Sequence, residues 1–107
     1  MAVIPYDKLV RDRIPEILAQ VGKECVTDTL SDDYYLVMLD SKLDEELAEY
    51  HADPCLEELA DLLEVLRACA LARGYTLEEL EEERAAKAAA RGGFSQKLLL
   101  RAVIEKV

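Results

Sequence analysis

Glu46 and Glu49, and then Glu58 and Asp61, form two carboxylate pairs spaced i, i+3 on either side of a break at His51-Ala-Asp-Pro54. Residues three apart on a helix share a face, so each pair sets two acids side by side. The midpoint between Glu49 and Glu58 is also the midpoint between Glu46 and Asp61. If the two flanks fold back as an antiparallel hairpin, the pairs lie level with each other. Four carboxylates at one spot repel strongly unless cations lie between them, and hard oxygen ligands suit Mg²⁺ or Mn²⁺. The pattern outlines a metal site.

Most acidic runs are solvated faces, and that is the competing reading. At about 100° per residue, the first flank has an apolar stripe of Leu36, Leu39, Leu43, Leu47 and Tyr50. Glu46 falls on the flank of that stripe, with Lys42 and Glu49 just beyond it. Asp33, Asp40, Ser41 and Asp44 take the opposite, wet side. On the second flank Glu57, Glu64 and Arg67 form the wet strip, while Glu58 and Asp61 share a sector with Val65, Cys69 and Ala72. Carboxylates at the margin of a core are costly unless paired or metal-bound.

Several function classes are disfavoured by composition. A net charge of −10 leaves no basic stripe for nucleic acid, although metal ions can invert the local field for a nucleotide. A single histidine, His51, makes zinc chemistry and a Ser-His-Asp or Cys-His centre improbable. The three cysteines, Cys25, Cys55 and Cys69, have no paired spacing and fit a reducing cytosol. Neither a signal peptide nor a membrane span is expected, which points to a soluble, cytoplasmic protein.

The chain reads as one all-α domain over residues 1–107, an antiparallel helical bundle. A short helix starts near Pro15 and ends at Gly22. Ser31-Asp-Asp opens the first carboxylate helix, which runs to about Tyr50. The second covers 54–73, with Pro54 in its first turn and Gly74 just past its end. Thr76-Leu-Glu-Glu79 is a capping box for a helix that reaches Arg91 and stops at Gly92-Gly93. The segment Leu98 to Val107 fits either helix or strand; a two-stranded ribbon of residues 24–30 with 98–105 would satisfy both orphan backbones. The second long helix is apolar nearly all round after Asp61, more than a small domain covers, so a homodimer or higher oligomer is expected.

Basic residues cluster in two places. Lys8 and Arg11 flank Leu9-Val10, followed by Asp12. Lys87 and Arg91 stand i, i+4 ahead of Gly92-Gly93-Phe94. Arg and Lys are the usual phosphate binders, and a Gly-Gly step permits close backbone approach. The competing reading is strong: Lys and Arg near a helix C-terminus, as Lys87 and Arg91 are, meet its dipole, and glycines there are caps.

Together, Tyr6-Asp-Lys-Leu-Val-Arg-Asp-Arg-Ile-Pro15, Glu45-Glu-Leu-Ala-Glu49, Glu58-Leu-Ala-Asp61 and Lys87 with Arg91-Gly-Gly-Phe94 resemble the MazG-like all-α NTP pyrophosphohydrolases. The resemblance is closer to their small phosphoribosyl-ATP pyrophosphohydrolase-like branch of predicted house-cleaning enzymes, and it spans about residues 5–95. It implies hydrolysis of (d)NTPs, non-standard ones included, to monophosphate and pyrophosphate. Mg²⁺ (or Mn²⁺) would be held by Glu46, Glu49, Glu58 and Asp61, the residues that the hairpin symmetry selects. Glu45, the additional acid of the motif, would orient or deprotonate water beside Glu46, although its azimuth points away. Lys87 and Arg91 would hold the β/γ-phosphates, Lys8 and Arg11 ribose or phosphate with Asp12 fixing Arg11, and Phe94 or a tyrosine would stack on the base. Lys42 either meets phosphate or pairs with Glu46. The stretch between Glu49 and Glu58 is shorter than in many relatives, leaving less protein to select a base. Hydrolysis of phosphoribosyl-ATP is the alternative reaction, but that bulky adduct needs more pocket than the chain supplies. A non-catalytic nucleotide- or partner-binding helical module is the alternative of another class.

Overall fold

A computed structural model describes residues 2–107. It is all-helical, with α1 (Ile14–Gln20), α2 (Asp32–Ala52), α3 (Leu56–Ala72) and α4 (Leu77–Arg91), and no strand among the described residues. Residues 24–30 and 98–105, expected as a ribbon, run without ladder hydrogen bonds. A lone two-stranded ribbon is marginal in water, and these segments add no third strand to support one.

Local sequence sets each helix end. At the start of α2 the Ser31 hydroxyl accepts from the Tyr34 amide at 3.2 Å, and Asp32 and Asp33 meet the positive end of the helix. The helix stops at Ala52 because Asp53 precedes Pro54, whose ring pushes it out of the helical region, to φ −147°. Pro54 does not lie in the first turn of α3 as expected. Cys55 is still extended (φ −140°, ψ 170°) and serves as the N-cap, so the helix begins at Leu56. Beyond Ala72, Gly74 takes φ +90°, its amide bonding Leu71 and that of Tyr75 bonding Ala70; this satisfies the last carbonyls of α3. The capping box of α4 forms in full, with Thr76 and Glu79 exchanging side-chain bonds at 3.0 Å.

α2 and α3 fold back as a hairpin and are the helix pair that packs together. Leu39 (4% exposed) and Val65 (9%) are its buried apolar residues. Around them Leu36, Leu43 and Tyr50 of the expected stripe are half-buried, while Leu47 is exposed. The third buried residue is an acid, Glu46, at 6% exposure. α4 belongs to a second compact unit, Thr76–Val107. Leu77 and Ala88 are its least exposed side chains, and residues 95–107 are exposed and without helix.

Candidate metal centre

The turn at Asp53-Pro54-Cys55 brings the end of α2 beside the start of α3, and the acids meet there. Glu46, Glu58 and Asp61 each offer a carboxylate oxygen, all within 4.8 Å of one another. Glu58 stands in the first turn of α3, where the helix dipole favours a negative charge. Two oxygens, Glu46 Oε2 and Glu58 Oε2, are buried without a hydrogen-bond partner. A buried acceptor left in this state is destabilising by about 1–3 kcal/mol, and more when charged, so the arrangement is unfavourable unless something positive meets it. Glu49 is exposed and stands outside the tight group of three, yet it is close enough to feel it. The charge of Glu46, with a smaller contribution from burial, pushes the pKa of Glu49 up. Burial, then the charges of Glu49, Asp61 and Glu46, pushes Glu58 up.

Three cations border this group. Lys42, one turn before Glu46 on α2, donates to Glu45 Oε1 at 3.3 Å and lies 3.2 Å from Glu46 Oε1. Its burial works against its charge, but bonding and attraction from Glu46 and Glu45 win and hold its pKa above the ordinary value. The ion pair foreseen for Lys42 is thus present, and it leaves Glu46 Oε2 without a partner. Lys8 reaches the same Glu45 Oε1, at 3.4 Å. Across a shallow cleft, Lys8 and Leu9 face Met38, Ser41 and Lys42. Arg11 Nη2 donates to Asp61 Oδ1 at 2.8 Å.

The structure therefore gathers Lys8, Arg11, Lys42, Glu45, Glu46, Glu58 and Asp61 at one end of the hairpin, with Glu49 adjoining. Asp12 makes no side-chain bond to Arg11 among the described residues; Asp61 holds that guanidinium instead. Glu45 is occupied by two lysines on Oε1, which makes it their anchor. Lys87 and Arg91 are exposed on α4, and Phe94 is 98% exposed, all in the second unit. Sequence reasoning missed the Arg11–Asp61 bond, since no local spacing relates an arm residue to α3. It also missed a neighbouring group of Asp53, Cys55 and Glu58, for which the turn's own Asp-Pro-Cys sequence was the available signal.

No protein-family model matches the chain, and no solved structure does. A stretch of 45 residues, 42% of the chain, is 58% identical to an uncharacterized protein of Mycolicibacterium smegmatis. The match covers 46% of that protein, so the chain spans less than half of the relative's length.

Proposed function

We propose that this chain is a MazG-like, Mg²⁺-dependent nucleoside triphosphate pyrophosphohydrolase that converts (d)NTPs, non-standard ones included, to the monophosphate and pyrophosphate. One observation carries the reading. The carboxylate of Glu46 is buried with Oε2 unpartnered, in a donor group with Glu58 and Asp61. Three hard oxygen donors from two helices, with two orphaned oxygens among them, fit a divalent cation; Mn²⁺ fits the same donors. Glu46, Glu58 and Asp61 would hold it, with Glu49 alongside. Such a cation, when bound, lowers the pKa of a coordinated water and neutralises charge building on a phosphate leaving group.

The chain's own side chains prepare the rest. Lys42 holds one oxygen of Glu46 and so fixes which oxygen remains for the metal. Lys8 and Lys42 converge on Glu45 beside the metal group and present two ammonium charges where a polyphosphate would lie. Glu45 orients both. The roles of Lys87, Arg91 and Phe94 rest on the sequence resemblance alone.

Self-association is part of the proposal. With Leu39 and Val65 as the buried apolar residues, the hairpin leaves Leu59 (46%), Leu63 (56%) and Leu66 (43%) exposed on α3. These leucines offer an apolar face that a second copy of the chain would cover. No helix is long and apolar enough to cross a membrane, and the cysteines are free, as a cytoplasmic setting would keep them.

The testing experiment is Mg²⁺-dependent pyrophosphate release from ordinary and damaged (d)NTPs, with phosphoribosyl-ATP in the same panel and Asp61→Ala as control. Release that is lost in the variant supports the reading and ranks the substrates. Release confined to phosphoribosyl-ATP transfers the site to that reaction. Absence of release from every substrate, with Mg²⁺ or Mn²⁺, overturns the catalytic reading in favour of a binding module.

A further inference from the structure

The N-terminal arm, residues 2–13, has no helix or strand. Nor does α1, which follows it, pack on another helix among the described residues. Two ion pairs tie the arm to the hairpin: Lys8 to Glu45 at 3.4 Å and Arg11 to Asp61 at 2.8 Å. A left-handed bend at Asp7 (φ +48°), a conformation that Asp tolerates better than most residues, starts this approach. The two ties differ in kind. Glu45 lies outside the metal-donor group, whereas Asp61 is one of its three members.

Resting on the metal-site reading above, we infer that Arg11 is a counter-ion which a divalent cation displaces from Asp61, and that the displaced guanidinium then meets substrate phosphate. Five carboxylates, Glu45, Glu46, Glu49, Glu58 and Asp61, stand here against Lys8, Arg11 and Lys42. The acids outnumber the cations, so the group is net negative and attracts a cation. A cation that takes Asp61 finds a guanidinium already on that carboxylate, and two positive charges on one acid repel. Arg11 is the member free to move. Its side chain is 58% exposed, against 22% for Lys42, and it sits on an arm without regular structure. A guanidinium released beside the metal carries a planar fork suited to phosphate oxygens. Arg11 thus stabilises the acid group until metal arrives and becomes available to substrate afterwards. This coupling makes metal and nucleotide binding favour each other.

The test measures binding rather than turnover. Mn²⁺ is titrated into the full chain and followed by the paramagnetic resonance of free Mn²⁺, for wild type, Arg11→Gln, Arg11→Lys and Lys8→Gln. Arg11→Gln is expected to bind Mn²⁺ about two- to fivefold tighter, the range set by losing an exposed ion pair. Arg11→Lys falls between, and Lys8→Gln, which removes an equal charge from the same arm, changes affinity less. Nitrogen NMR of the Arg11 guanidinium should show hindered rotation in metal-free protein and its loss on adding Mg²⁺. With a non-hydrolysable nucleoside triphosphate added after the metal, Arg11→Gln should bind nucleotide more weakly than wild type. Unchanged or weaker Mn²⁺ binding in Arg11→Gln, or equal tightening in Lys8→Gln, would overturn the displacement while leaving the metal site standing. Failure of wild type to bind Mn²⁺ at all would overturn both.

Discussion

Glutamate is abundant in the α2–α3 hairpin and again along α4, and the two regions treat it in opposite ways. On α4 every acid is solvated, and the helix has no buried residue. Glu79 closes a capping box, and Glu81 receives both Nε and Nη2 of Arg84, whose bonding pulls the Glu81 pKa down. In the hairpin Glu46 is buried, two oxygens lack partners, and the pKa of Glu49 is pushed up by the charge of Glu46 and that of Glu58 by burial and then by neighbouring acids. The number of glutamates is similar, six in the hairpin and five on α4; their exposure and crowding are not. On α4 one acid, Glu81, is ion-paired among the described residues, and water screens the others. The hairpin concentrates its carboxylates where bordering cations leave an excess, a locally unfavourable arrangement of the kind found at functional sites.

The largest effect that distinguishes the two regions lies in activity. On the proposed reading Asp61→Ala removes a metal donor and is expected to lower pyrophosphate release by about 100-fold or more, since even residues behind the ligands of a metal site matter by 10–100-fold. Steady-state release under saturating Mg²⁺ checks it, and an effect below tenfold would remove Asp61 from the ligand set. Next in size is the response of stability to metal. Mg²⁺ at 100 times its Kd should stabilise the folded chain by about 2.7 kcal/mol, read as a rise in thermal midpoint. Asp61→Ala should show little of that rise, and no rise in wild type would mean that the hairpin acids hold no metal.

Much of this contrast was legible in the sequence. The i, i+3 spacing and the shared midpoint of the two acidic pairs depend only on helix geometry, so Glu46, Glu58 and Asp61 could be placed together before any fold was known. The azimuth of Glu46 beside Leu39 foretold its burial, and Thr76 and Glu79 announced their own capping box. Three features were not legible, each for a physical reason. The start of α3 slipped past Pro54 because Cys55 stays extended at the N-cap position without a capping side-chain bond, so no residue type marks the true start. The ribbon is not seen among the described residues: alternating apolar residues such as Leu98, Leu100 and Ala102 indicate compatibility with a strand but do not by themselves make one. The bond from Arg11 to Asp61 joins an arm without periodicity to a helix, and no local pattern encodes such a meeting.

A subtler separation of the two regions comes from pH. Glu49 and Glu58 hold protons more tightly in the folded chain than at the ordinary glutamate value of 4.5. Their contribution to stability is complete below that value and is lost as pH rises through their raised folded values, because the folded state then gives up protons it preferred to keep. Metal-free wild type should therefore lose stability relative to Glu49→Gln as pH climbs from 4.5 towards neutrality. Mg²⁺ should abolish that difference by supplying the missing positive charge. Urea denaturation of both chains across this range reads the effect directly. A difference that stays flat with pH would show that the hairpin acids do not repel one another.

The smallest expected effect is on α4, and it tests the comparison itself. Glu81 has its pKa lowered by Arg84, so its contribution is present above the ordinary value and is lost as pH falls through the lowered one. Glu81→Gln therefore acts with the opposite pH sign to Glu49→Gln. Its size should be slight, because exposed ion pairs on a helix face contribute little and are screened by salt. Mn²⁺ affinity and pyrophosphate release should match wild type within error, although the substitution removes the same single negative charge as Glu49→Gln. If Glu81→Gln weakened metal binding as much as Glu49→Gln, net charge rather than local imbalance would govern cation binding. The hairpin would then be no more a site than any acidic surface.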